Sequence, residues 1–252
     1  MKFSLQNSYR ISWDGWKGWA YSSKEDFSRV SALYVEVEKG HGMSMSTRSD
    51  RVYYVLSGKG EFKSQRSNLK VGKSDVVIVP KNTPYDYMRI GSDKLKMFMI
   101  HAPAFDEKSV VDFSDQQAAF SCQPDAEILK FTLRGAKMLE RAGRKGWIYN
   151  TKDDFENANV VYLEMKYRHG KVKDLKSDRI YYIVEGKGEF KIQNSQPKAG
   201  PPMAEKFKIK ETDVVIVPKD TPYDFENKGK SYLKLVLINC PAFERESSVK
   251  LE

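Results

Sequence analysis

The residues that are scarce narrow the possibilities first. In 252 residues there are two cysteines, Cys122 and Cys240, and three histidines, His41, His101 and His169. One pair of cysteines cannot build a disulfide framework, and neither lies in a Cys-x-x-Cys or metal-ligand spacing. Reduced thiols in the cytoplasm are the expected state. A transition-metal site needs several N, S or O ligands converging, and no histidine here has a second beside it, so no metal and no cofactor are expected. No apolar run reaches the length of a membrane-spanning helix, and the first residues lack the apolar stretch of a signal peptide, so no membrane contact is expected. The formal charge is +9, which would suit nucleic acid, an anionic surface or a small anion. The bases are interleaved with acids, as in Lys24-Glu25-Asp26 and Lys152-Asp153-Asp154, and no basic run occurs. A nucleic-acid partner is therefore not expected.

What is present is a repeat. Gly18-Trp19-Ala20-Tyr21 returns as Gly146-Trp147-Ile148-Tyr149, and Ser49-Asp50-Arg51-Val52-Tyr53-Tyr54 as Ser177-Asp178-Arg179-Ile180-Tyr181-Tyr182. Gly58-Lys59-Gly60-Glu61-Phe62-Lys63 returns as Gly186-Lys187-Gly188-Glu189-Phe190-Lys191, always 128 residues later. Thereafter Asp75 to Lys81 matches Asp213 to Lys219. Thr83-Pro84-Tyr85-Asp86 matches Thr221-Pro222-Tyr223-Asp224, and Pro103-Ala104-Phe105 matches Pro241-Ala242-Phe243, now at an offset of 138. The second copy has gained its extra residues within Gln193 to Glu205, where Pro197, Gly200, Pro201 and Pro202 predict an extended hairpin loop. Phe3-Ser4-Leu5 pairs with Phe131-Thr132-Leu133, so the duplication spans nearly the whole chain. A period this long must be recognised before any fold is assigned.

Each copy contains short runs rich in Val, Ile, Tyr and Phe between turn residues, the signature of strands. The clearest are Ala32–Val37, Val52–Leu56, Val76–Val79 and Leu95–Ile100, with counterparts Val160–Met165, Ile180–Val184, Val214–Val217 and Leu233–Ile238. Many short strands at regular spacing predict an all-β sandwich or barrel. Domains are expected at 1–106 and 130–252. The segment 107–129, the least strand-like, is expected to connect them.

Arg51 through Gly60 resembles the end of the first cupin motif, and Asp75 through Pro80 with Thr83-Pro84 resembles the start of the second. Both recur in the second copy, so the chain resembles a bicupin. That resemblance implies two tandem cupin-type barrels of double-stranded β-helix, or jelly-roll, form. Metal-binding cupins present two His and a Glu from the first motif and a His from the second. The Glu position is matched here by Arg51 and Arg179, and the paired-His positions fall among Ser44 to Thr47 and Lys173 to Lys176. The last His is matched by Tyr85 and Tyr223. A guanidinium has no lone pair to give a cation and stays protonated. The motif's glycine is matched by Asn82 and Asp220, both of which tolerate a left-handed turn.

Because alternate strand residues share a face, an inward Arg51 brings Tyr53 with it, and Arg179 brings Tyr181. Tyr85 and Tyr87 share a face, as do Tyr223 and Phe225. Each barrel would enclose one guanidinium among aromatic rings. Such a pocket suits a small anionic, oxygen-rich metabolite of the sugar-acid or sugar-phosphate type. Tyr85 and Tyr223, beside the arginines, could have lowered pKa values and transfer protons in an isomerisation or epimerisation. The metal-free cupin epimerases, however, rely on a His–Asp dyad for which no histidine is found here. The competing expectation is a non-catalytic sensor or scaffold in which Arg51 and Arg179 pair with Glu36 and Glu164. His41-Gly42 and His169-Gly170 read as turns after a strand, Trp19 and Trp147 as anchors of the barrel. His101 against Asn239 reads as surface divergence. The two copies can pair with each other, giving a monomer with internal pseudo-two-fold symmetry or a dimer of it.

Overall fold

A computed structural model describes residues 1–113, 127–141, 143–193 and 204–251. Residues 194–203, which hold most of the expected loop, lie outside the described residues, as do most of the expected connecting segment and Cys122. The chain divides into an N-terminal unit, Leu5–Arg134, and a C-terminal unit of Gly135–Glu252 with Met1–Ser4.

The N-terminal unit is built from two antiparallel sheets. The larger runs in the order Leu129–Phe131, Val76–Val79, Asp50–Ser57, Leu95–Ala102, Ser31–Val37, Trp16–Ala20 and Tyr9–Trp13. The smaller runs Val110–Asp112, Ser44–Ser46, Tyr85–Ile90, Lys59–Ser64 and Asn68–Gly72. The C-terminal unit repeats both. Its larger sheet runs Lys2–Phe3, Val214–Val217, Asp178–Glu185, Leu233–Cys240, Asn159–Met165, Arg144–Ile148 and Lys137–Arg141. Its smaller sheet runs Ala204–Lys210, Lys187–Gln193, Tyr223–Asn227, Val172–Asp174 and Ser248–Lys250. Among the described residues no helix is long and apolar enough to cross a membrane.

The β-branched run Val76-Val77-Ile78-Val79 lies between two strands, with Arg51 opposite Val79 and Tyr53 opposite Val77. Both of its faces are buried, which is why it lacks the polar alternation of a solvent-facing strand. The side chains that alternate inward form one core. Tyr53 and Val55 meet Val77, Val79, Met97 and Met99 from the same sheet and Phe62, Tyr85 and Tyr87 from the other. The C-terminal unit gathers Tyr181, Ile183, Phe190, Val215, Val217, Tyr223 and Phe225 in the same way.

Two differences from the sequence reading concern boundaries. Residues 107–129 are not only a connector, because Val110–Asp112 pairs with Ser44–Ser46. The short strands around Phe3 and Phe131 belong to sheets far from them in sequence: Lys2–Phe3 pairs with Val214–Val217, and Leu129–Phe131 with Val76–Val79. The division at 106 and 130 followed loop composition, whereas the sheets are divided by pairing that composition does not encode. The strands that flank the expected gain, Lys187–Gln193 and Ala204–Lys210, pair antiparallel with each other.

The turn chemistry is as the motifs require. Asn82 and Asp220 have φ of 60° and 57°, the left-handed conformation of the glycine they replace. Gly58 has φ of 80°, and a Cβ there would lie 2.3 Å from the Lys94 carbonyl oxygen, backbone that cannot move aside. At Gly42, φ is 84° but nothing lies within 4 Å of the added atom. Gly42→Ala should therefore cost only the left-handed penalty of about 1–2 kcal/mol, and Gly58→Ala clearly more. Urea unfolding of the two variants checks the order; equal midpoints would refute it.

Candidate functional sites

In the N-terminal unit Arg51 enters from the strand Asp50–Ser57 and is only 4% exposed. Its Nη1 donates to the Tyr85 hydroxyl at 2.5 Å, and that hydroxyl is hydrogen-bonded in turn to Tyr53. Burial by itself would lower the arginine's pKa, but Tyr85 and Tyr53 beside it outweigh burial and hold it charged. Burial pushes the pKa of Tyr53 and Tyr87 well above that of an ordinary tyrosine. No carboxylate pairs with Arg51 among the described residues, and its Nε has no hydrogen-bond partner.

Arg51, Tyr53 and Tyr87 line a cavity of about 380 Å³. Around them stand Trp13, Trp16, His41, His101, Met43 and Met99, with the exposed Glu107 and Asp112 also on the lining. Trp13 and Trp16 are stacked with centroids 4.7 Å apart, and His41 stacks on Tyr87 at 4.7 Å. Burial first, and then the Arg51 charge, bring the pKa of His41 down to about 4. The same causes hold His101 well below the usual imidazole range.

The C-terminal unit keeps the scaffold and changes the charges. Arg179 Nη1 donates to Tyr223 at 2.5 Å, and Tyr181 and Tyr223 are bonded at 2.6 Å. Here, however, Arg179 Nη2 donates to Asp174 Oδ2 at 2.9 Å, a buried ion pair. Burial raises the Asp174 carboxyl, but the Ser177 N–H and Arg179 outweigh it and leave its pKa below the ordinary value. Asp174 Oδ1 also accepts from the backbone of Lys176 and Ser177, at 2.9 and 2.7 Å. The equivalent residue of the first copy is Ser46, whose hydroxyl accepts from the backbone of Arg48 and Ser49, at 3.3 and 3.0 Å. The serine keeps the local capping bonds and removes the arginine's counterion.

A cavity of about 340 Å³ opens beside Arg179, lined by Arg141, Arg144 and Lys145, by Asn150, Asn159 and Asn239, and by a wall including Ile148, Val161, Leu163 and Leu237. Arg141 and Arg144 occupy the positions of Trp13 and Trp16.

Several sequence expectations need correction. Neither arginine pairs with the glutamate expected of it: Glu36 bonds Tyr34 and lies by Lys94 and Lys96, and Glu164 accepts from Tyr162. Those glutamates sit two strands away, beyond Leu95–Ala102 and Leu233–Cys240, and meet other partners. His101 is not a surface position; it and Asn239 are buried, each on a cavity wall. Tyr85, Tyr181, Tyr223 and Phe225 pack in the cores and do not line the cavities. For Tyr223, burial outweighs Arg179 and its pKa rises instead of falling. The reading took His41 for a turn residue, whereas it lines the cavity; it passed over Trp13 and Trp16, and did not set Ser46 against Asp174. The signal was available in the repeat: residues 128 apart that differ in charge, five positions before each arginine.

With this geometry in place, comparison with solved structures is decisive for the fold. Lactobacillus farciminis oxalate decarboxylase in its formate complex superposes with a TM-score of 0.80, at 12% identity, covering 100% of this chain and 88% of that one. A Bacillus subtilis oxalate decarboxylase structure, described for its Mn(II) centres, gives 0.79 at 14% identity, covering 100% and 79%. The chain has the bicupin fold. Residues 51–144 also match the family described as AraC-like ligand binding domain. An uncharacterized protein of Methanocaldococcus jannaschii is 34% identical over 80 residues, 32% of this chain. That match spans 56% of the relative's length.

The donor set does not fit the Mn(II) described for the Bacillus subtilis neighbour. Among the described residues no three His, Cys, Asp or Glu side chains converge. At the position matching a cupin's glutamate stands a guanidinium, which donates hydrogen bonds and cannot ligate.

Proposed function

We propose that the N-terminal unit binds a small ring-bearing monoanion, a sugar acid by class, with its carboxylate on Arg51 and without a metal. One observation carries the reading. A buried, permanently charged guanidinium lines a cavity with no carboxylate partner among the described residues and with its Nε unpartnered. An uncompensated buried charge is costly, and an anion entering the cavity supplies what Asp174 supplies in the other unit. The fork of the guanidinium matches a carboxylate in two-point contact. Trp13 and Trp16 offer faces for a sugar ring, while Glu107 and Asp112 can accept its hydroxyls. Those two carboxylates also disfavour a dianion, which argues for a sugar acid over a sugar phosphate.

Binding has more support than turnover. The hydroxyls expected to move protons, on Tyr85 and Tyr223, are committed to the arginines and do not line the cavities. The match to a ligand-binding domain over residues 51–144 points the same way.

Thermal-shift titration with glucuronate, galacturonate, galactose and galactose 1-phosphate tests the reading, alongside Arg51→Met and Arg179→Met. A uronate at a hundred times its dissociation constant should stabilise the protein by about 2.7 kcal/mol. That gain should vanish in Arg51→Met and persist in Arg179→Met. An effect that survives Arg51→Met, or is matched by galactose, would refute the assignment.

A further inference from the structure

The second copy's cavity departs from the first in a way that specifies a different ligand. In the N-terminal unit Trp16 is buried against the inner face of the sheet, so close to Gly18 that a Cβ there would lie 2.7 Å from the indole. In the same core Val35 is fully buried and Leu33 nearly so, with Leu33 at the cavity wall. In the C-terminal unit Arg144 replaces the tryptophan on the cavity lining and donates from Nη1 to the His169 carbonyl at 2.8 Å. The equivalents of Leu33 and Val35, Val161 and Leu163, are left half-buried on the wall of the cavity. Gly146 still provides the space that Gly18 provides for the ring, with only Leu163 and Val161 near its added Cβ.

Charge follows the same division. Arg179 is neutralised by Asp174, so the depth of this cavity has no spare charge for an anion. Arg144 and Lys145 line the cavity with no carboxylate partner among the described residues, and no Asp or Glu lines it. Buried Asn239 donates to Asn159 and leaves its own Oδ1 unpartnered, an acceptor at a neutral end. The geometry points to a second binding site, in the C-terminal unit, for an amphiphilic anion. Its apolar body lies on Val161, Leu163 and Leu237, and its single anionic head meets Arg144 and Lys145. The orientation is the reverse of that in the N-terminal unit, where the charged end goes to the buried arginine. The two sites are independent, and this one stands without the sugar-acid reading.

The test is isothermal titration of the full chain with octanoate, octyl phosphate and uncharged octan-1-ol, each below its aggregation limit. Three variants are compared. Arg144→Trp restores the first copy's indole over the wall, Lys145→Glu reverses a charge beside the head, and Arg51→Met addresses only the other cavity. Octanoate or octyl phosphate should bind saturably at one per chain, and octan-1-ol at least about tenfold more weakly, the difference of one charge contact. Arg144→Trp should weaken the anion at least about tenfold and Lys145→Glu several-fold, with Arg51→Met unchanged. Circular dichroism confirms that each variant is folded. Preference for carboxylate or phosphate would identify the head group. The proposal is overturned if octan-1-ol binds as well as the anions, or if none binds saturably. It is equally overturned if a folded Arg144→Trp binds normally, or if Arg51→Met abolishes the titration.

Discussion

Asp174→Ala should lower the unfolding free energy by about 3–5 kcal/mol, because breaking a buried ion pair from one side leaves the other charge without compensation. The aspartate holds Arg179 and also accepts from Lys176 N and Ser177 N, so one substitution strands three donors, while Ser247 Oγ keeps the Glu244 carbonyl. Asp174→Ala with Arg179→Met should recover much of the loss, since the charge that suffers is removed as well. Urea unfolding of both variants settles the matter; if the double variant is no more stable than the single, the ion pair is not the source. The contribution has a definite pH sense. A carboxyl whose folded pKa lies below its ordinary value of 3.8 stabilises fully above that value. The stability is lost as pH falls through the lower folded value.

A second large effect should appear on mild acidification. His41 and His169 have folded pKa values near 4 against an ordinary 6.5, and His101 lies well below its ordinary value. Burial is the principal cause in all three. The unfolded chain therefore binds more protons than the folded one below about pH 6.5, and stability must fall as pH falls through that window. Above pH 6.5 these groups contribute no slope. Each histidine adds at most about 1.4 kcal/mol per pH unit. The melting temperature should decline steadily from pH 6.5 to 4.5, before most carboxylates titrate. His101→Asn, which installs the side chain carried by the other copy, should flatten the decline. A melting temperature constant over that range would show that the imidazoles are not kept neutral by the fold.

The sequence announced the fold more clearly than the sites. Strand periodicity and two motifs, each present twice, fixed both the barrels and the inward alternation of Arg51 with Tyr53 and Tyr85 with Tyr87, because a period of two leaves no freedom once one residue is known to face inward. The turn at Asn82 was legible for the same local reason. Partners across the barrel were not. Whether Arg51 meets Glu36 or a hydroxyl depends on where two non-adjacent strands place their side chains, and Glu36 was the wrong choice. His101 resembled surface divergence because a difference between copies looks alike whether it lies outside or on a cavity wall. The repeat nonetheless contained the most useful contrast, Ser46 against Asp174, visible only once the arginine's need for a counterion is weighed at both positions.

The pairing of Lys2–Phe3 with Val214–Val217, and of Leu129–Phe131 with Val76–Val79, has a practical side. Cutting the polypeptide where the repeat starts afresh, near residue 128, yields two fragments that each carry a strand belonging to the other. Each is then left with a bare valine-rich edge, the kind of surface that recruits strands from neighbouring molecules. An autonomous half must instead follow the sheets. Residues 5–134 retain their own closing strand, whereas 135–252 would need the first four residues grafted back.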